Sequence, residues 1–184
     1  MKVLVAFASK YGSTRGIAEF IRDTLRDGGL EVDCLDVRES LNCMKYDAFV
    51  IGSALYMGHW MKEAKQFITL NTGILSSRPV WLFSSGPTGD KQVNAKGQSL
   101  LEHAVSGPVD LDKIERGINA REHRIFFGAF DPENLGYFSH QFFKTDMMRN
   151  ASPAGDYRNW KEIETWANGI GQRLKDEALA PVMR

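Results

Sequence analysis

The 184 residues, 43% hydrophobic and 25% charged, suffice for one domain with a sizeable core rather than two. Lysine plus arginine equal aspartate plus glutamate at 23 each, which excludes a global field that would gather nucleic acid or anionic lipid. Cys34 and Cys43 lack metal spacing, and no apolar run has signal-peptide or membrane-span length, so a cytoplasmic chain with reduced thiols and no metal is expected.

Val3 to Ala8 is a continuous apolar run, as expected of a strand covered on both faces. Ile17, Ala18, Ile21 and Leu25 fall on one helical stripe, and Gly28-Gly29 stops that helix. Leu30 to Val37 reads as a second strand and Ala48 to Gly52 as a third. Ala64, Phe67 and Ile68 mark the next amphipathic helix. Val80 to Phe83 is a fourth strand, opened by Pro79, where a missing N–H is tolerated. The stretch from Pro87 to Pro108 carries Gly and Pro at its ends and only a weak helical patch at Leu100-Leu101. A short helix is expected over Leu111 to Gly117 with Asp110 as its cap, then a fifth strand over Arg124 to Ala129. Trp160, Ile163, Trp166, Ala167, Ile170 and Leu174 share one face of the last helix.

Strands alternating with helices predict an α/β fold: a doubly wound, five-stranded parallel sheet with helices on both faces. Ligands in such sheets sit beyond the C-terminal ends of the strands. The same alternation fits a receiver domain or a Rossmann relative, so the loops must discriminate.

The first strand ends in Ser9-Lys10-Tyr11-Gly12-Ser13-Thr14. A helix N-terminus offers unpaired N–H groups and the positive end of a dipole, and three hydroxyls in a short arc can donate to a terminal phosphate. The loop is neither G-x-x-x-x-G-K-[ST] nor G-x-G-x-x-G, which weakens triphosphate and dinucleotide readings. It also lacks the acidic pair of a receiver. Helix capping by Ser13 or Thr14 accounts for one hydroxyl but not for all three. The third strand leads into Gly52-Ser53-Ala54-Leu55-Tyr56-Met57-Gly58-His59-Trp60, a loop suited to a planar aromatic ligand through its glycines and rings. The competing reading has Trp60 and Met61 simply begin the next helix and pack inward. His59 is a candidate for tuning a ligand or passing a proton, against the plainer reading of a surface histidine. Ser84-Ser85-Gly86-Pro87-Thr88-Gly89-Asp90 forms a third loop at the same rim, whose N–H groups could meet a ring edge.

With these three loops the chain resembles the flavodoxin family, whose phosphate loop is roughly T-x-T-G-x-T; Tyr11 stands where the family has its second Thr. More narrowly, it is similar to the menaquinone-dependent protoporphyrinogen oxidase branch. The carrying segments are Ala8 to Arg15, Ile51 to Trp60, Phe127-Gly128-Ala129 followed by a long aromatic insert, and Trp160. The resemblance implies one flavodoxin-like domain over 1–184 with a family-specific insert at about 131–157. It implies FMN held non-covalently by Ser9, Lys10, Tyr11, Gly12, Ser13 and Thr14, by Ala54, Leu55, Tyr56, Met57, Gly58 and His59, and by the loop from Ser84 to Asp90. It further implies electron transfer from a porphyrinogen to a quinone, with the flavin carrying the chemistry. The insert departs from the branch: Asp131, Glu133, Asp146 and Asp156 face only Lys144 and Arg149. Its aromatics Tyr137, Phe138, Phe142 and Phe143 suit either an apolar lip, for substrate or peripheral contact at the inner face of a membrane, or an extra packed helix. Three other classes stay open: a one-electron carrier docking on a redox protein partner, an NAD(P)H:quinone reductase, and a flavin-free interaction domain. Zero net charge favours an enzyme over a carrier, because carriers of this kind tend to be strongly acidic.

Overall fold

Hydrophobic continuity places the strands and amphipathic stripes place the helices on them. A computed structural model describes residues 1–39, 42–56, 58–86, 109–131 and 154–179. In chain order these form β1 (Lys2–Ala8), α1 (Ser13–Asp27), β2 (Glu31–Asp36), a 3-10 turn (Cys43–Lys45), β3 (Ala48–Tyr56), β4 (His59–Trp60), α2 (Lys62–Leu75), β5 (Val80–Ser85), α3 (Val109–Ile118), β6 (Glu122–Phe126), β7 (Ala129–Phe130), β8 (Gly155–Asp156) and α4 (Trp160–Leu179). The main sheet runs β2-β1-β3-β5-β6, all parallel, with β4 added antiparallel to β3. β7 and β8 make a separate antiparallel ribbon.

Alternate residues of each strand serve opposite faces. Val3, Val5, Phe7, Trp81 and Phe83 pack with Ile17, Ile21 and Leu25 of α1 and Ile163, Trp166 and Ile170 of α4. Leu4, Ala6, Phe49, Ile51 and Leu82 pack with Ala64, Phe67 and Ile68 of α2 and Leu111 and Ile118 of α3. The expected doubly wound sheet is therefore present, and α1 and α2 leave it on opposite faces. Their divergence opens the crevice between the ends of β1 and β3 where ligands bind in this class of sheet. α1 ends as expected: Gly28 N–H bonds Thr24 O, and Gly29 takes a φ of +85° that a side chain would resist. No helix among the described residues is long and apolar enough to cross a membrane.

Four expectations are corrected. The third strand does not stop at Gly52 but continues to Tyr56 and turns back, pairing Leu55 with Trp60 and Tyr56 with His59. Gly58 at φ +79° permits that turn, so most of the expected loop is a hairpin. β5 likewise continues past Phe83 to Ser85, held by the register of Ser84 and Ser85 against Ser53 and Ala54 of β3. The fifth strand lies at Glu122–Phe126 rather than Arg124–Ala129, because its register is set by β5, from Trp81 opposite Glu122 to Ser85 opposite Phe126. Glu122, His123 and Arg124 carry no apolar signal on this edge strand, which hides its start from a search for apolar runs. Asp110 lies inside α3 instead of capping it. The Leu100-Leu101 patch and the aromatic insert lie outside the described residues, apart from the insert's ends at 131 and 154–157.

Candidate functional site

At the C-terminal rim the chain leaves β1 and must turn within four residues to start α1. Gly12 makes that turn at φ +88° and occupies the N-cap position, where no side chain caps the helix. The expected cap by Ser13 or Thr14 is not formed. Instead the three hydroxyls of the loop divide their work. Ser9 Oγ accepts from Gly12 N–H at 3.1 Å and closes the loop. Ser13 Oγ accepts from Ala129 N–H at 2.8 Å and lies 3.0 Å from Ser85 Oγ, tying the first loop to β5 and to the β7–β8 ribbon. Thr14 is fully buried, and its Oγ1 has no partner among the described residues. A buried hydroxyl with nothing to bond costs free energy and marks a place where a ligand or water completes the structure.

The surroundings favour an anion. The first turn of α1 holds no acidic residue, and Lys10 and Arg15 are exposed beside it. Arg158 is brought against the same turn. Asp156 holds its guanidinium with two bonds of 2.8 and 2.6 Å, its Cζ lies 4.4 Å from the Trp160 ring, and its Nη1 fills the space a Cβ at Gly16 would need, 2.5 Å away. An uncapped helix end, an orphaned hydroxyl and flanking cations fit the terminal phosphate of FMN.

The other predicted residues divide between the rim and the interior. Tyr56 is exposed at the hairpin tip and meets Tyr11 edge to face, centroids 6.3 Å apart, with Lys10 Nζ 5.0 Å from the Tyr11 ring. Desolvation, reinforced by the Tyr11 phenol, holds the Tyr56 hydroxyl above the usual tyrosine range, so it stays protonated. Ala54 is buried, Leu55 and Gly58 are partly buried, and His59 is exposed. A Cβ added at Gly86, whose φ is +127°, would stand 3.6 Å from Leu55 Cβ, so the end of β5 lies beside the hairpin. Ser85 faces the rim through Ser13. Ser84, one residue earlier, faces the opposite side of the sheet. Met57, Pro87, Thr88, Gly89 and Asp90 lie outside the described residues. The structure thus joins the three loops through Ser13–Ser85, Tyr11–Tyr56 and Gly86–Leu55. A groove of about 440 Å³ along β6 and α4 lies apart from this rim, lined by charges of both signs such as Glu122, Arg124, Lys161 and Arg173.

Trp60 takes the inward reading, 3% exposed, with its indole N–H donating to Ser84 Oγ at 2.7 Å. Behind Ser84 stands a residue that sequence reasoning missed. His123 Nε2 is 2.9 Å from Ser84 Oγ, and its Nδ1 is 3.2 Å from Glu115 Oε1. Burial pushes the imidazole down to about 4, so it is neutral near pH 7, and burial also raises the Glu115 carboxyl, with Asp112 adding to it. No linear signal joins these residues: they meet because β6 lies beside β5 with His123 opposite Leu82.

This largely buried histidine predicts an acid sensitivity. The unfolded chain takes up the His123 proton near the ordinary histidine value of 6.5, the folded chain only near 4. Stability is therefore full above about pH 6.5 and falls as the pH drops toward 4. The raised Glu115 carboxyl works in the opposite direction and offsets part of this loss. Urea unfolding across this range should show the slope in the native chain and a flatter one in His123→Gln; equal slopes would remove His123 as the cause.

A family model described as a flavodoxin domain matches residues 4–153. Protoporphyrinogen IX dehydrogenase [quinone] of Escherichia coli (strain K12) is 30% identical over 86 residues, 46% of this chain and 48% of that protein. The match therefore spans about half the length of that relative. A probable flavodoxin 1 of Bacillus subtilis (strain 168) is 37% identical over 54 residues, 28% of this chain and 34% of the relative. The solved structure of a flavodoxin from the domain Archaea superposes with a TM-score of 0.58 at 16% identity, covering 95% of this chain and 99% of that one.

Proposed function

Because the chain belongs to the flavodoxin domain family, we propose that it is an FMN-dependent oxidoreductase that passes electrons from a porphyrinogen-type substrate to a quinone. The observation that carries the cofactor is the buried Thr14 hydroxyl, without a partner among the described residues, beneath an uncapped helix end. The likeness to the Escherichia coli dehydrogenase supports the reaction. In this reading Thr14, Ser9 and the first amides of α1 hold the phosphate, with Arg158 and Lys10 supplying positive potential. Tyr11 and Tyr56, in contact at the rim, lie where they can border the ring system. Bound FMN supplies the two-electron redox chemistry, and the protein supplies its position and electrostatic setting. Ser13 acts as a strut, since both its bonds are to the protein.

The test is anaerobic oxidation of protoporphyrinogen by the FMN-loaded protein with menaquinone, ubiquinone or no acceptor. The expected result is quinone-dependent turnover well above an equal concentration of free FMN. A rate indistinguishable from free FMN would overturn the enzymatic reading. It would favour a carrier between protein partners, the second reading, which the resemblance to the probable Bacillus subtilis flavodoxin supports. A protein that neither contains nor takes up FMN would overturn both.

A further inference from the structure

We propose that His123 is a positioning residue for the cofactor site, acting through Ser84 and Trp60 on the β3–β4 hairpin; this rests on the FMN reading above. Trp60, Ser84 and His123 form one hydrogen-bonded chain, with Glu115 close behind it. The Trp60 indole N–H donates to Ser84 Oγ at 2.7 Å, Ser84 Oγ lies 2.9 Å from His123 Nε2, and His123 Nδ1 lies 3.2 Å from Glu115 Oε1. With the indole N–H donating to it, the Ser84 hydroxyl donates onward to Nε2, which leaves the imidazole proton on Nδ1, on the side of Glu115. Trp60 also lies edge-on to the imidazole, centroids 6.2 Å apart.

Serine, histidine and glutamate in this order also make a nucleophile relay. Here the serine is fully buried and its oxygen is taken by the indole, so no acyl substrate reaches it. The chain serves Trp60 instead. β4 has only two residues, and so short a strand does not fix itself by pairing. Two buried serines hold it from within: Ser53 Oγ accepts from Met61 N–H at 3.0 Å, and Ser84 holds the Trp60 indole. On the outer side of this anchored pair stand Tyr56 and His59, directly opposite each other in the hairpin. An imidazole on β6 and a carboxylate on α3 thereby set the place of side chains at the rim, and the ordering is done before a ligand arrives.

The test compares His123→Phe, His123→Gln and Ser84→Ala with a remote control, Tyr46→Phe, which removes a hydrogen bond to Asp33 at the other end of the sheet. Readouts are FMN dissociation constant, midpoint potential of the loaded protein, and amide exchange of residues 53–60 without FMN. His123→Phe and Ser84→Ala should weaken FMN binding at least about fivefold, displace the potential and speed exchange in the hairpin. His123→Gln, whose amide oxygen can accept from Ser84, should stay close to the native chain, and Tyr46→Phe should alter none of the three. Native affinity, potential and exchange in folded His123→Phe, or in Ser84→Ala if the former does not fold, would overturn the proposal. Should the native protein bind no FMN, the cofactor reading falls, and hairpin exchange alone still decides for or against His123.

Discussion

Thr14→Val is expected to weaken FMN binding about 10- to 100-fold, the worth of a hydrogen bond to a charged phosphate, and at the same time to stabilise the ligand-free chain. The two signs share one cause. Thr14 Oγ1 is buried without a partner among the described residues, so the free chain carries a desolvated hydroxyl. Valine has nearly the same shape and replaces that hydroxyl with a methyl group, relieving a penalty of about 1–3 kcal/mol. The loaded chain loses the contact for which the hydroxyl is kept. Such opposition between stability and binding is the usual mark of a residue retained for a ligand. Fluorescence titration with FMN and urea unfolding of the ligand-free protein together decide the matter. Unchanged affinity would mean that the phosphate is held without Thr14. Lower stability of the ligand-free variant would mean that the hydroxyl is already satisfied.

Gly52→Ala should destabilise the chain by about 3 kcal/mol, the upper end of overpacking costs, and Phe83→Leu should recover part of that loss. A Cβ on Gly52 would stand 2.0 Å from Cζ of Phe83, inside the ring's own contact distance. Phe83 has little freedom to yield: it is fully buried and packed against Phe126 and Trp166, with ring centroids 6.3 Å away in both cases. The glycine that suggests a close approach of backbone to ligand thus makes room for a core ring. Phe83→Leu costs stability alone by leaving space, yet in the double variant the new methyl group occupies some of it. Denaturant midpoints of the four chains form a cycle in which the double variant is more stable than Gly52→Ala alone. Simple additivity would show that the clash is relieved elsewhere.

Much of the fold is legible before any coordinates. Val3 to Ala8 and Val80 to Phe83 are apolar throughout because both faces of their strands are covered, and that continuity survives in the sequence. Ile17, Ala18, Ile21 and Leu25 mark the buried face of α1 for the same reason, and Gly28-Gly29 carries its own stop. The hydroxyl loop after β1 is also legible, since the turn geometry and the donor set lie within six consecutive residues.

What the sequence alone determined is therefore whatever short-range physics controls: buried strands, helix faces, and a candidate phosphate loop. The tertiary structure decided how the hydroxyls are shared. Ser13 is committed to Ala129 and Ser85, 116 and 72 residues away in the chain, while Thr14 has no partner among the described residues. It also decided that Ser53 to Trp60 is a hairpin anchored from within, and that Ser84 meets His123. Hydrogen-bond partners brought together by sheet register leave no periodicity, because the distance that matters runs across strands rather than along the chain.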